Sequence, residues 1–414
     1  IGNNITLESI KGGVGNIDNL LDLDSAVGTK GEVNIKAAGG IYVQEVAGNL
    51  SIGQITSKTG DVYVKAAGHI LDHDNTDGAN IIGRSITLVS VTGGIGSIDN
   101  FLDIDSAANR GGKVDANAAT HVYLHEIAGD MSLGNVNATT GDVYLKAQGS
   151  ILDHDNNTKA NAKGRNITLE AIKGGIGKLN NYMDVSATGK LTARATGSIY
   201  IYEVAGNMNL VLAVSNTGDV YLKAKGSILD SNGTNEADVI GNNIILESTQ
   251  GGIGTSNNFL DINSAQSKSG RVDAAATGSI YLYETAGNLS IGLISSMAGD
   301  VYLSARGSIV DNNNNDMPNV VGRNLNLEAM GGIGTLGNFL DIRSAVSGAG
   351  KVDASAPSGI YLYQMAGNLA AGVIISSSGD VHLKARQSIL DYNRTDAANV
   401  IGNNITFEAM DGGI

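Results

Sequence analysis

Residues 60–72 read Gly-Asp-Val-Tyr-Val-Lys-Ala-Ala-Gly-His-Ile-Leu-Asp. Apolar and polar residues alternate from Val62 to Ala66, which is the period of a β-strand with one buried face. Val62, Val64 and Ala66 are therefore predicted to point inward, and the tyrosine and lysine between them to point outward. The stretch predicts a short strand bounded by glycine-containing turns.

The same stretch recurs along the chain at a nearly fixed interval. Its Gly-Asp-Val segment supplies Asp61, Asp142, Asp219, Asp300 and Asp380. A second motif, Gly-(Asn/Arg)-(Asn/Ser) before Ile or Leu, starts at Gly2, Gly83, Gly164, Gly241, Gly322 and Gly402. The repeats are 2–82, 83–163, 164–240, 241–321 and 322–401, with a partial sixth at 402–414. Self-similarity at such a period is typical of solenoids.

Each repeat is divided further by strands of one type. In repeat one these begin at Ile5, Val33 and Val62, and repeat two opens at Ile86, so the steps are 28, 29 and 24 residues. We interpret each step as one coil of a helix of strands.

Each coil is predicted to hold three short strands. For the second coil of repeat four these are Val272–Ala276, Ile280–Tyr283 and Leu289–Ile294. Gly48 and Gly287, each followed by asparagine, are predicted corners, because glycine adopts positive φ without steric cost. The segment Val27–Glu32, whose length varies between repeats, is a predicted surface loop.

The composition favours a narrow core. Glycine accounts for 57 of 414 residues, aromatic residues for 4%, and there is no tryptophan. A wide globular core normally uses large aromatics. A single coil buries too little apolar surface to offset the entropy of ordering it, so coils must stack. We predict an all-β, right-handed parallel β-helix with about three coils per repeat.

We expect one continuous rod over residues 1–414. The sequence begins at Ile1 and stops at Ile414 within the repeated motif. The chain is therefore predicted to be a window of a longer protein.

Charge and cysteine content exclude several classes of site and partner. There is no cysteine, which excludes disulfides, cysteine-ligated zinc and a thiol nucleophile. The formal net charge of −14 makes nucleic acid and anionic membranes poor partners. No apolar run of about 18 residues, as a membrane span requires, is present.

Two aspartate pairs are weak candidates for calcium. Asp72 and Asp74 lie together in repeat one, and Asp153 and Asp155 in repeat two. Calcium takes about six to eight oxygen ligands. Aspartates at corners also cap the backbone of their own turn. Both interpretations stay open, and the sequence suggests no cofactor other than calcium.

Outward side chains suggest two further surfaces. Glu8, Lys36 and Lys65 are predicted to form one column on successive coils. Tyrosine pairs are predicted to form a binding face, with one member of each pair exposed: Tyr200 and Tyr202, Tyr281 and Tyr283, Tyr361 and Tyr363. Exposed tyrosines stack on sugars or on a second rod, whereas partial packing under a loop is the alternative.

The repeats do not favour catalysis. An enzyme of the pectate-lyase type builds one unique constellation of unlike residues, but the candidate groups here recur from repeat to repeat. We predict that the chain is not an enzyme.

Three segments resemble a known family. They are residues 218–230 (Gly-Asp-Val-Tyr-Leu-Lys-Ala-Lys-Gly-Ser-Ile-Leu-Asp), 241–244 (Gly-Asn-Asn-Ile) and 251–265 (Gly-Gly-Ile-Gly…Phe-Leu-Asp-Ile-Asn-Ser-Ala). They are similar to repeats of filamentous haemagglutinin-like exoproteins and adhesins, the large secreted partners of two-partner secretion systems. The resemblance implies a β-helical fibre, export through an outer-membrane transporter, an extracellular or cell-surface location, and roles in adhesion, aggregation or toxin delivery.

The leading hypothesis is a structural shaft or spacer. The alternatives are a surface that binds cell-surface glycans or proteins through the tyrosines, and a filament assembled from copies of the chain.

Overall fold

The computed structural model describes residues 1–25, 31–106, 111–264, 270–313, 315, 317–345, 350–393 and 395–414. Every regular element in these ranges is a β-strand. The chain divides into two compact units, Ile1–Ala205 and Gly206–Ile414. Most of the predicted loop Val27–Glu32 lies outside the described residues.

The first unit contains two parallel sheets, each named by its first strand. The β1 sheet consists of β1 (Ile5–Ser9), β3 (Val33–Ala37), β5 (Leu50–Ser57), β7 (Ile70–Asp72), β8 (Ile81–Ile82), β10 (Leu102–Asp105), β12 (Val122–Glu126), β14 (Val143–Ala147), β17 (Ile167–Ala171) and β19 (Lys190–Ala195). The β2 sheet consists of β2 (Leu21–Leu23), β4 (Ile41–Glu45), β6 (Val62–Ala66), β9 (Ile86–Ser90), β11 (Val114–Ala118), β13 (Met131–Ala138), β15 (Ile151–Asp153), β16 (Ala162–Gly164), β18 (Met183–Ala187) and β20 (Ile199–Glu203).

The second unit is built in the same way. The β21 sheet consists of β21 (Met208–Ser215), β23 (Ile228–Asp230), β24 (Val239–Ile240), β26 (Leu260–Asn263), β28 (Ile280–Glu284), β30 (Val301–Ala305), β33 (Leu325–Ala329), β35 (Lys351–Ala356), β37 (Leu369–Ser376), β39 (Ile389–Asp391) and β40 (Val400–Ile401). The β22 sheet consists of β22 (Val220–Ala224), β25 (Ile244–Ser248), β27 (Val272–Ala276), β29 (Leu289–Ser296), β31 (Ile309–Asp311), β32 (Val320–Val321), β34 (Leu340–Arg343), β36 (Ile360–Gln364), β38 (Val381–Ala385) and β41 (Ile405–Ala409). The predicted all-β parallel β-helix is confirmed.

The alternation from Val62 to Ala66 is confirmed in β6. Val62, Val64 and Ala66 are at most 1% exposed, and the residues between them face outward. In both units, Ile, Leu, Val and Ala form most of the buried face of the strands. Burial of this aliphatic surface between the two sheets is the main favourable contribution to folding. The narrow core predicted from the composition is therefore present.

Strand register confirms two of the three predicted coil steps. Ile5 pairs with Val33, and Val62 pairs with Ile86, so the steps of 28 and 24 residues are single turns. The step of 29 residues from Val33 to Val62 is wrong as a coil. Val33 pairs with Ile52 of β5 in the β1 sheet, whereas Val62 belongs to the β2 sheet. Because β4 and β5 lie between them, this step is one and a half turns.

A turn holds two main strands, one in each sheet, and the prediction of three was wrong. The predicted coil of repeat four shows the reason. Its first and third strands, β27 and β29, pair with each other through Val272 and Ile291. They therefore belong to successive turns of one sheet, and β28 belongs to the opposite sheet.

Each repeat therefore spans three and a half turns. In the first unit, β1 and its counterpart two repeats later, β17, lie in the same sheet, while β9 of the intervening repeat lies in the other. In the second unit, β25 and β41 share a sheet, and β33 lies opposite. Equivalent strands of successive repeats thus lie in opposite sheets of their unit.

The predicted corners adopt the backbone conformation that glycine permits. Gly48 has a φ of 71° and Gly287 a φ of 83°. The asparagine after each glycine accepts a hydrogen bond from the next turn: Asn49 Oδ1 from His69 N at 2.9 Å, and Asn288 Oδ1 from Ser308 N at 2.8 Å. These corners therefore also fasten one turn to the next.

Candidate binding faces and buried corner residues

The tyrosine pairs occupy the second and fourth positions of equivalent strands, β20, β28 and β36. Residues two apart in a strand point to the same side. Tyr200, Tyr202, Tyr281, Tyr283, Tyr361 and Tyr363 are accordingly all outward and half-buried. The expectation that one member of each pair would be exposed was wrong, because alternation places both members on one face.

The first tyrosine of each pair packs against other aromatic rings. The Tyr281 ring is stacked on Tyr302 at 4.6 Å between centroids, and Phe259 meets it edge-on at 5.5 Å. Tyr361 has Phe339 at 5.9 Å. Each such pair adds about 0.5–1.5 kcal/mol beyond area burial. Part of these rings is therefore used for packing.

The second tyrosine of the pairs in β28 and β36 contacts polar neighbours. The Tyr283 hydroxyl accepts a hydrogen bond from Arg306 Nε at 3.1 Å. Lys384 Nζ lies 5.4 Å from the centre of the Tyr363 ring, within the range of a cation–π contact. Binding of a glycan or of a second rod at these rings stays a prediction.

The tyrosine pairs do not form one stripe within a unit. In the second unit, Tyr281 and Tyr283 lie in the β21 sheet, whereas Tyr361 and Tyr363 lie in the β22 sheet. The half turn in each repeat is the reason. A ligand that recognised the pairs would meet them on alternating sides.

The predicted charged column is only partly formed. Glu8 and Lys36 are in register on β1 and β3. Lys65 lies in the other sheet, in register with Gln44, so its assignment to this column was wrong. The error follows from reading one and a half turns as one.

Ion pairs in which arginine donates through two nitrogens join the two repeated motifs. Arg84 Nε donates a hydrogen bond to Asp61 Oδ1 at 2.8 Å, and Arg84 Nη2 donates one to Asp61 Oδ2 at 2.9 Å. The same arrangement joins Arg165 to Asp142 and Arg323 to Asp300. The arginine of one motif therefore fastens the Gly-Asp-Val segment of the preceding turn.

The calcium candidates are used as turn caps. Asp72 Oδ1 accepts hydrogen bonds from Asp74 N at 3.2 Å and from Asn80 Nδ2 at 2.6 Å. Asp153 Oδ1 accepts from Asp155 N at 3.0 Å and from an equivalent asparagine. Asp72 and Asp153 are buried, whereas Asp74 and Asp155 are exposed. The capping interpretation accounts for these contacts.

A buried asparagine at each of these corners was missed by the sequence analysis. Asn80 is 1% exposed. Its Nδ2 donates to Asp72, and its Oδ1 accepts from the backbone N of Asp103 on the next turn at 2.9 Å. The signal is its constant place, three residues before the glycine that opens each repeat: Asn80, Asn161, Asp238, Asn319 and Asn399.

Buried glutamates end one strand of most repeats. Glu284 Oε2 accepts from Ser264 N at 3.0 Å and from Ser264 Oγ at 2.6 Å. Glu126 binds Ser106 in the same way. Burial raises the pKa of Glu126 and of Glu284 to about 7 in each case. Near neutral pH these carboxyl groups are therefore divided between the neutral and charged forms.

Gln364 takes the place of these glutamates in repeat five. Its Oε1 accepts from Ser344 N at 3.1 Å and from Ser344 Oγ at 3.3 Å. The position therefore requires an oxygen acceptor and does not require a charge.

Among the residues that the structure describes, no three His, Cys, Asp or Glu side chains are grouped so that they could hold a metal ion. The described part of the chain also has no helix with the length and apolar character needed to cross a membrane. Comparisons with protein-family models, with curated proteins and with solved structures returned no match.

Proposed function

We propose that the chain is the non-enzymatic, repetitive shaft of a large secreted bacterial surface exoprotein, acting as a spacer or fibre in adhesion or cell–cell contact. The observation that carries the proposal is that the same turn-to-turn contacts recur from repeat to repeat. A spacer needs only length, and a solenoid supplies length by adding turns that contact their neighbours.

The recurrent contacts of the polar side chains at the corners support this proposal. The Asp72–Asn80 contact at 2.6 Å has a counterpart in Asp311–Asn319 at 2.6 Å. A catalytic site needs a constellation that occurs once. Recurrent groups that bind the backbone of the next turn favour a structural role.

The secreted part of the proposal rests on the resemblance to filamentous haemagglutinin-like exoproteins. It includes export through an outer-membrane transporter and an extracellular or cell-surface location. The acidic net charge of −14 agrees with partners other than nucleic acid.

Binding and association measurements test the shaft against its two alternatives. The 414-residue chain is applied to a glycan array and to analytical ultracentrifugation over a range of concentrations. A shaft is expected to show no saturable glycan binding and a concentration-independent mass.

The variants Tyr283→Ala and Tyr363→Ala decide what any glycan binding would mean, with Asn326→Ala as an outward control from β33. Saturable binding lost only in the tyrosine variants would overturn the shaft in favour of a glycan-binding face. Cleavage of a bound glycan would overturn the non-enzymatic assignment. A mass that grows with concentration would favour the filament.

A further inference from the structure

The corner between β23 and β24 differs from its counterparts in one buried side chain. Four repeats have asparagine three residues before the next opening glycine, and repeat three has Asp238. Asp238 is 0% exposed. The corner therefore holds a carboxyl group where the others hold an amide of nearly the same shape.

The amide has two tasks at the other corners. Its nitrogen donates to the aspartate that ends the preceding strand, as in Asn161 Nδ2 to Asp153 Oδ1 at 2.7 Å and Asn319 Nδ2 to Asp311 Oδ1 at 2.6 Å. Its oxygen accepts from the backbone of the next turn, as in Asp341 N to Asn319 Oδ1 at 2.9 Å. The position thus requires one donor and one acceptor.

Asp238 also accepts a hydrogen bond from the backbone of the next turn. Its Oδ2 accepts from Asp261 N at 3.0 Å, and its Oδ1 accepts from Asn232 Nδ2 at 2.6 Å. The counterpart of Asp153 at this corner is Asp230, which ends β23 and whose Oδ1 accepts from Asn232 N at 2.7 Å. An ionised carboxylate cannot donate to another carboxylate.

The charged groups that act on Asp238 are themselves acidic. They are Asp230 on β23 and Asp261 on β26, and Tyr283 on β28 is in register with Asp261. Burial, Asp230 and Asp261 raise the pKa of Asp238 to about 8. Burial and Asp230 raise the pKa of Asp261 to about 6.

We infer that Asp238 is a neutral carboxylic acid that donates a hydrogen bond to Asp230 in place of the asparagine amide, and that this corner loosens when the proton is lost. The repeat-three corner is then a point in the second unit where this position responds to pH, whereas the asparagine side chain at the other corners carries no proton that titrates. Loss of the proton places a second charge in a buried, acidic environment, which is unfavourable.

The sign of the effect follows from the raised pKa. The contribution of Asp238 to stability is fully present below its ordinary pKa of 3.8 and is lost as the pH rises through about 8. The corner is therefore tight in mild acid and loosens in mild alkali.

Hydrogen–deuterium exchange of the full chain tests the inference. The variant Asp238→Asn restores the amide, and both proteins are compared at about pH 5 and about pH 9 so that intrinsic exchange cancels. The amides of Asp238, which donates to Asp261 O, and of Ala213, which donates to Asp238 O, report on the corner. The wild type is expected to lose protection relative to the variant by roughly tenfold for each pH unit between pH 5 and the pKa of about 8, with no further loss above it.

The matched control is Asn319→Asp, which creates the same carboxyl pair at another corner of the second unit. It is expected to acquire the pH dependence that Asp238→Asn loses. An infrared difference spectrum near pH 6 is expected to show a carboxylic acid band in the wild type that Asp238→Asn lacks.

Two results would overturn the inference. One is an unchanged ratio of wild-type to Asp238→Asn exchange between acid and alkali, with no acid band. The other is protection of the wild type by calcium chloride at high pH that the variant does not show, since the carboxyl groups would then hold a cation and not a proton.

Discussion

At the scale of single residues, the buried glutamates show that an acceptor can be needed without its charge. Glu126 is 0% exposed and binds Ser106, and Gln364 makes the same contacts with a neutral amide. Burial of a charge is unfavourable without a compensating partner. The glutamates therefore make the fold depend on pH in a way that Gln364 does not.

We predict that Glu126→Gln and Glu284→Gln stabilise the protein at neutral and alkaline pH. The folded pKa is raised from 4.5 to about 7. Each glutamate therefore contributes fully below pH 4.5, and its contribution is lost as the pH rises through about 7. At about 1.4 kcal/mol per pKa unit, the difference is on the order of 3 kcal/mol for each glutamate.

The measurement is the urea midpoint of unfolding at several pH values. The glutamine variants are expected to flatten its fall between about pH 5 and pH 8. Gln364→Glu is the reciprocal control and is expected to steepen that fall. A glutamine variant that lost stability equally at every pH would contradict the prediction.

The two residues of the Asp300–Arg323 ion pair are predicted to contribute unequally to the stability of the protein. Asp300 also accepts from Asn324 N at 3.1 Å and from Asn324 Nδ2 at 3.0 Å. Asp300→Ala leaves these donors without their partner and is expected to cost about 1 kcal/mol or more. Arg323→Ala is expected to change the urea midpoint little, because the arginine is half exposed and its partner keeps other donors.

The stabilising contribution of this ion pair is also expected to depend on pH. Arg323 lowers the pKa of Asp300, so its contribution is present above the ordinary value of 3.8 and is lost as the pH falls below it. Equal destabilisation by the two alanine variants would refute the interpretation.

At the scale of strands, the long strand of repeats one, two, four and five carries an extra residue. Val272 pairs with Ile291 but Ala274 pairs with Ile294, so β29 has a bulge between them. Asp273 Oδ1 accepts from the backbone N of Leu293 at 2.8 Å. The aspartate of one turn thus satisfies the amide that the bulge leaves without a ladder partner.

Gly292 is predicted to be required at this bulge. A Cβ there would lie 2.1 Å from Arg271 Nε and 2.3 Å from Asp273 Oδ1, which would displace the side chain that caps the bulge. Gly292→Ala is expected to destabilise the second unit by about 1–3 kcal/mol.

Gly337→Ala is the matched control, because nothing lies within 4 Å of its Cβ position. Urea midpoints measure both variants. The bulge has no special requirement for glycine if the two substitutions prove equally mild.

At the scale of the whole molecule, a repeat spans three and a half turns, and the extra half turn moves each motif to the opposite sheet in the next repeat. Gln44, His125 and Tyr202 occupy the same position in repeats one to three. Gln44 and Tyr202 lie in the β2 sheet, and His125 lies in the β1 sheet. Any surface property that follows the repeat is therefore presented alternately to the two sides.

We predict that deletion of residues 83–163 leaves a folded protein in which the part of repeat three in the first unit has changed sides. The junction keeps the same local sequence, since one repeat replaces another. Spin labels at Gln44→Cys and Tyr202→Cys, in a chain without other cysteines, lie seven turns apart in the intact first unit. That is about 34 Å at roughly 4.8 Å per turn.

After the deletion the labels are expected to be three and a half turns apart, about 17 Å along the stack, and on opposite faces. Labels at Gln44→Cys and His125→Cys in the intact chain are the control and should give the same distance. The prediction that one repeat can replace another would be contradicted if the label distance did not change, or if the chain with the deletion did not fold.

The strands and the repeat can be read from local patterns in the sequence. Val62, Val64 and Ala66 were identified as buried because the inside–outside alternation of a strand is local and visible in consecutive residues. The corner glycines Gly48 and Gly287 were identified because positive φ is a property of one residue.

Which strands stack and how the polar groups are paired became visible in the folded structure. Val33 and Val62 begin strands with the same alternation, so nothing local distinguishes a step of one turn from one of one and a half. Asp103, which donates to Asn80, lies 23 residues away, and Ser106, which donates to Glu126, lies 20 residues away, so these pairings depend on the length of each loop between them. Pairing across turns is a long-range contact, and strands with the same alternation cannot be told apart by local periodicity alone.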